Sequence, residues 1–306
     1  MENISTQPKQ PSKLLILLAF AAIYIVWGST YIAVLIALKD IPPFLITGLR
    51  FIIAGVLLFT FSIIRDQPLP NLKSVINLSF SGILMLFFGT GAVAWVEQYI
   101  SSGLAAIIVA TTALWFVVLD KRQWKYNFSH KLIIIGLLIG FAGVCILFAD
   151  KKSLDFSGDK MKLVSFFIML GGAISWAAGS LFLKYKATEG STIMKAAVQM
   201  IAAGLAFFIV SVIHGEFQHT QWHNISQRSA IAIVYLIVAG SLVGYMSYVW
   251  LLSVRSAALV GTYAYVNPVV AVFLGWLIAG EPIVTRQVIA LAVILCGVIL
   301  VTLAKR

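Results

Sequence analysis

Apolar runs of about twenty residues recur along the whole sequence, separated by short polar or charged connections. The hydrocarbon core of a bilayer takes roughly 20 apolar residues per helix. Inside it, every backbone N–H and C=O must be satisfied within the segment or in a closed barrel. The pattern therefore predicts an all-α integral membrane protein. Ten transmembrane helices are expected, at 14–38, 42–64, 74–98, 102–119, 131–149, 162–183, 192–213, 230–252, 256–279 and 285–304. Composition removes the soluble alternative: 61% of the 306 residues are hydrophobic and only 11% are charged, where a soluble domain carries about 25% charged residues.

The formal charge of +11 does not point to nucleic acid, because the basic residues sit mainly between the apolar runs, where they act as topology signals. With the N-terminus inside, 14 basic residues fall on the cytoplasmic side and 7 outside, which predicts both termini in the cytoplasm. Residues 1–13 are then a cytoplasmic tail, and the run from Leu14 is a retained first span rather than a removed leader. The lysine-rich segment 150–162, with Lys151, Lys152, Lys160 and Lys162, must lie outside in this scheme. Cys145 and Cys296 lie deep in apolar runs, so neither a disulfide framework nor a thiolate metal site is expected.

The two halves echo each other. Trp27 and Trp176, Arg50 and Gln199, and Gly55 and Gly204 each stand 149 positions apart. Residues 101–115 resemble 254–268 at a shift of 153, and Gly143-Val144 recurs as Gly297-Val298. Each half holds five spans. An odd number obliges the second half to enter the membrane in the opposite sense, so two inverted five-helix repeats are expected, over 14–149 and 162–304.

Arg50 is the sharpest candidate site residue. It lies about eight residues, or roughly 12 Å, inside the second span, where an arginine costs up to about 2.5–3.5 kcal/mol. Three readings stand: a structural pair or carbonyl cap, attraction of an anionic substrate group, or snorkelling to the surface. Glu97 is its natural partner and a candidate proton-coupling or gate residue. Trp27, with Thr30 after it, and Trp176 lie mid-span, where an indole N–H needs a partner. Trp95, Gln98, Gln199, Tyr248, Tyr263 and Asn267 complete the candidate cavity set, with Pro268 as a hinge that frees the carbonyl of Ala264. His214, His219 and His223 read as a polar loop rather than a metal site, and no glycine-rich phosphate loop supports ATP-driven pumping. No catalytic cluster, metal or cofactor is expected.

Trp27-Gly28-Ser29, Arg50, WVEQYISSGLAA at 95–106 and YAYVNPVVAVFLGWLIAGEP at 263–282 resemble the EamA branch of the drug/metabolite transporter superfamily over nearly all of 14–304. The resemblance implies a ten-helix carrier of the cytoplasmic (inner) membrane that moves small metabolites, often amino acids or toxic compounds, usually outward. It also implies a central cavity lined by spans 1, 3, 4, 6, 8 and 9. Together these make a secondary transporter working by alternating access the leading expectation, with a small-molecule substrate, the lipid bilayer and a proton as partners. A flippase or facilitator for an amphipathic molecule is the alternative, and an intramembrane enzyme is disfavoured. Two features depart from the family pattern: Ala110-Thr111-Thr112-Ala113 replaces a proline often found in the fourth span, and Glu281 has no first-half match.

Overall fold

The computed structural model describes residues 11–96, 99–100, 102–148, 160–279 and 284–304. Glu97, Gln98, Glu281 and most of the 150–161 connection lie outside these residues. The described chain is helical, with no strand among the described residues. Eight helices are long and apolar enough to cross a membrane, and up to nine if one bent pair is counted.

The elements are α1 (Lys13–Ala37), α2 (Pro43–Ile64) and α3 (Leu72–Val96), then α4 in two pieces (Ser102–Ala110 and Thr112–Leu119) and α5 (Lys131–Phe148). There follow α6 (Lys160–Tyr185), α7 (Thr192–Ile213) and α8 (Gln227–Val254). Last come α9 (Tyr263–Ala279), preceded by a turn at Ala257–Val260, and α10 (Thr285–Leu303). Of the two expected spans outside this count, the fourth is described as a shorter apolar helix at Ala105–Leu119, and the fifth, α5, is preceded by a short helix bent 93° away from it.

Local chemistry explains the boundaries. Pro42 caps α2 and Pro43 occupies its first turn, where a missing N–H costs nothing. Asn71, Ser191 and Ser226 cap α3, α7 and α8 through their side chains. α4 breaks without a proline: the Thr111 hydroxyl donates to the carbonyl of Ile108 at 2.6 Å, and this back-bond competes with the regular ladder. Ahead of α9, Thr262 repeats the arrangement, donating to Leu259 at 2.7 Å. These two breaks stand 151 positions apart. The helix continues through Pro268, so the interruption lies at Gly261-Thr262 rather than at the proline.

α2 and α7 pack at backbone distance. A Cβ on Gly55 would stand 2.7 Å from Ile201 and 3.1 Å from the carbonyl of Ala197; one on Gly204 would stand 2.7 Å from Ile52 and 3.2 Å from the carbonyl of Gly48. Every α7 residue in this contact follows its α2 counterpart by 149 positions. α5 and α10 meet in the same manner through Gly143 against Ile294, and Gly297 against Gly140. With no hydrophobic drive between helices in lipid, such close approach lets dispersion hold them together.

The connecting loops cap helices distant in sequence. Asp40, after α1, accepts from the backbone N–H (2.9 Å) and hydroxyl (2.5 Å) of Ser226 at the start of α8. Glu189, after α6, accepts from the backbone N–H (3.2 Å) and amide (2.8 Å) of Asn71 at the start of α3. Glu216, after α7, accepts from the N–H of Leu45 at the start of α2 (2.8 Å), and Gln67, after α2, accepts from the Ser191 hydroxyl at the start of α7. Asp40 and Glu189, like Gln67 and Glu216, are 149 positions apart.

The Ser226 bonds hold the Asp40 carboxyl below the ordinary carboxylate range. Its contribution to stability is complete above the unfolded value of about 3.9 and is lost as pH falls through the lower folded value. Asp40→Asn is expected to lower the thermal midpoint at pH 7, with the difference from wild type shrinking below about pH 4. Paired melting curves across pH check this.

Candidate functional site

Three helices carry wide π-type turns, at Ala22–Val26 in α1, Ile83–Thr90 in α3 and Leu236–Tyr245 in α8. Such turns shift the side-chain register and are frequent at functional sites. Here they adjoin one cavity of about 860 Å³, lined by Trp27, Thr30, Arg50, Trp176, Tyr245, Tyr263 and Asn267 among others.

A seat on α8 positions the two most polar anchors. The Arg50 Nε–H donates to the Ser241 hydroxyl at 2.7 Å, and its guanidinium carbon lies 5.0 Å from the centre of the Phe51 ring. Gly240 leaves the guanidinium its room, since a Cβ there would stand 2.7 Å from Arg50 Nη2. The Trp27 indole N–H donates to the carbonyl of Gly240 at 3.1 Å, and a Cβ on Gly244 would meet that nitrogen at 2.5 Å. Among the described residues Arg50 forms no ion pair, and only its Nε–H has a hydrogen-bond acceptor. Glu97 lies outside the described residues. No grouping of three metal-binding side chains occurs among those described.

The aromatic residues form a closed cluster. The Trp27 ring stands 5.7 Å from Trp176, 5.2 Å from Tyr248 and 5.0 Å from Tyr263, tilted or edge-on in each case. The Trp176 indole donates to the Tyr248 hydroxyl at 2.9 Å, which also bonds Ser180 at 2.6 Å. On the far side, the Tyr24 and Thr262 hydroxyls meet at 2.7 Å. With its amide nitrogen turned toward α1, Asn267 donates to the carbonyls of Ile23 and Tyr24 at 3.2 Å each. Tyr24 faces a second cleft beside Lys13, so this layer is a septum between two cavities.

Of the residues singled out in the sequence, Trp27, Thr30, Arg50, Trp176, Tyr263, Asn267 and Pro268 line the cavity. Tyr248 is fully buried behind it, bracing Trp176. Gln199 is fully buried and donates to Ser81 at 2.6 Å, away from the cavity. Trp95 packs on Tyr99, with ring centres 4.7 Å apart. Gln98 lies outside the described residues. The sequence reading missed Tyr24, Ser241, Tyr245 and Thr262. A polar residue beside glycine inside an apolar run, as in Gly240-Ser241 and Gly261-Thr262, is the signal that marks two of them.

The profile of the EamA-like transporter family matches the chain twice, over residues 13–149 and 163–303. The chain belongs to the EamA-like transporter family. It is 38% identical over 288 residues to the uncharacterized inner membrane transporter YedA of Escherichia coli K12, covering 94% of this chain and 90% of that protein. It is 24% identical to the uncharacterized transporter YoaV of Bacillus subtilis, covering 94% and 96% of the two chains. A WAT1-related chloroplastic protein of Arabidopsis thaliana is 26% identical, over 90% of this chain and 66% of that one. A solved crystal structure shares the fold, with a TM-score of 0.78, 18% identity and coverage of 96% of this chain and 99% of the other. This EamA-like chain is a multi-pass membrane protein, and its family and relatives are named for transport rather than for catalysis.

Proposed function

We propose that this EamA-like protein is a secondary transporter that exports small carboxylate-bearing metabolites, of the amino-acid type, across the cytoplasmic membrane by alternating access. The observation that carries this reading is Arg50. Its guanidinium lines an apolar and aromatic cavity and has one hydrogen-bonded N–H among the described residues. A planar donor fork of this kind matches a carboxylate in bidentate fashion, and Trp27, Trp176 and Tyr263 offer faces to an apolar side chain.

In this reading the chain crosses the membrane ten times, as two five-helix repeats of opposite sense, with both termini in the cytoplasm. The double family match and the recurring 149-residue offsets in the α2–α7 contact and the loop caps support the repeat. Two cavities separated by the Tyr24–Thr262 septum support alternating access, because cargo passes only when that layer parts. The back-bonded breaks at Thr111 and Thr262 are places where α4 and the approach to α9 bend with little loss of backbone bonding. A proton taken up by Glu97 couples the cycle.

The test is counterflow in proteoliposomes holding the purified full chain, with a panel of amino acids and the matching amines that lack the carboxylate. Carboxylate-bearing members are expected to exchange at least about tenfold faster, the worth of one charge-assisted hydrogen bond. Equal rates for the amines, or exchange of neither set, would remove this assignment.

A further inference from the structure

The cleft on the far side of the septum is a site of different character. It encloses about 930 Å³ between the beginning of α1, the end of α8 and the side of α10. Lys13, Lys184 and Arg255 line it, and no acidic residue does so among those described. Lys184 is held in place, its ammonium donating to the carbonyls of Leu252 (2.5 Å) and Arg255 (2.7 Å), which fixes the end of α8 against the end of α6. Asp120 interacts electrostatically with Lys184, but its carboxylate accepts the Tyr185 hydroxyl at 2.8 Å and lies outside the lining. The cleft therefore keeps a positive excess.

The remainder of its wall is mainly apolar, with Gln123, Ser253, Ser256 and Thr302 interspersed. Leu17, Phe20 and Val298 line it, and Leu17 is 65% exposed on the same side of α1 as Leu14 at 65% and Leu18 at 57%. On a helix that crosses a bilayer, such a surface faces acyl chains. The basic groups cluster at the ends of α1, α6 and α8, which is headgroup depth. An occupant must then be anionic at one end and apolar along its length, reaching the site from the lipid.

We propose that this cleft binds an anionic phospholipid, its phosphate held by Lys13 and Arg255 and one acyl chain lying along Leu17 and Phe20. Basic pockets between membrane helices suit such headgroups because each cation near the surface adds to the attraction. The site lies across the Tyr24–Thr262 layer from the Arg50 cavity and along the lipid-facing side of α1, and the proposal stands whether or not the cargo is a carboxylate.

The test uses the full chain purified in neutral detergent, read by native mass spectrometry and thermal unfolding with phosphatidylglycerol or phosphatidylcholine of identical acyl chains. Phosphatidylglycerol is expected to be retained and to raise the melting temperature, and phosphatidylcholine is not. The Lys13→Gln/Arg255→Gln variant is expected to bind phosphatidylglycerol about thirtyfold more weakly, while Lys73→Gln, at the same end of the bundle, binds it as wild type does. Equal retention of the neutral lipid, or undiminished binding by the double variant, overturns the proposal. So does an equal rise in melting temperature with glycerol 3-phosphate alone, which would identify a soluble anion as the occupant. Should the double variant fail to fold, Lys13→Gln alone, altering one exposed side chain, reads the same loss in smaller measure.

Discussion

Replacing Arg50 by glutamine is expected to weaken binding of a carboxylate-bearing cargo by roughly ten- to a hundredfold, the equivalent of about 1.5–3 kcal/mol for hydrogen bonds to a charged group. Glutamine keeps a donor in reach of Ser241 but removes the charge and the second donor of the fork. Arg50→Lys is expected to restore only part of the affinity, because an ammonium is a point charge that cannot bond in bidentate fashion. Scintillation proximity or microcalorimetry on the purified protein measures the loss. A structural role for Arg50 predicts a different pattern. The guanidinium bonds Ser241 and lies over Phe51, so if it served only to tie α2 to α8, thermal stability would fall and the affinity of the folded protein would hold. Measuring both separates the roles.

The largest effect on stability is expected at Gly297. A Cβ there would lie 2.4 Å from the backbone nitrogen of Gly140 and 2.6 Å from the carbonyl of Gly136. These are main-chain atoms, which cannot swing aside as a side chain would, so α5 and α10 must move apart along their contact. Gly297→Val is expected to cost about 3 kcal/mol or more, at the upper end of overpacking penalties, and to abolish a sharp monodisperse peak in detergent size-exclusion chromatography. Gly171→Ala provides the control. Nothing lies within 4 Å of the added methyl group, and alanine favours the helix by about 1 kcal/mol over glycine, so its melting temperature is expected to hold or rise.

The helical membrane fold was legible because lipid imposes one rule on every segment: satisfy the backbone internally and face the bilayer with apolar atoms. That rule writes itself as runs of about twenty residues, and eight such helices pass the test of length and hydropathy. It reads poorly where a span is interrupted. The hydropathy of 102–119 is unbroken, yet the Thr111 hydroxyl turns back onto Ile108, and an apolar average cannot register one side-chain hydrogen bond. The site was legible where a residue was costly in its surroundings, as with Arg50 and mid-span Trp27. It was obscure where an ordinary residue acquired its importance from a distant partner. Ser241 matters because Arg50 and Trp27 converge on its stretch of α8, and Tyr24 because Thr262 meets it across the septum. Gln199 shows the opposite error, since its offset from Arg50 suggested a lining residue, while packing against Ser81 placed it in the core.

The crossed loop caps have a consequence for how the chain is made. Asn71 begins α3, but the carboxylate that accepts from it, Glu189, is 118 residues further on. At about 5–20 residues per second of synthesis, that partner leaves the ribosome roughly 6–24 seconds later. The start of α8 is served in reverse, by Asp40, already waiting 186 residues upstream. Early helices are thus inserted with an end unfinished and completed from the later half, whereas later helices arrive at prepared ground. A nascent chain halted before residue 189 carries an open socket that only its own continuation, or the second half supplied as a separate polypeptide, can fill.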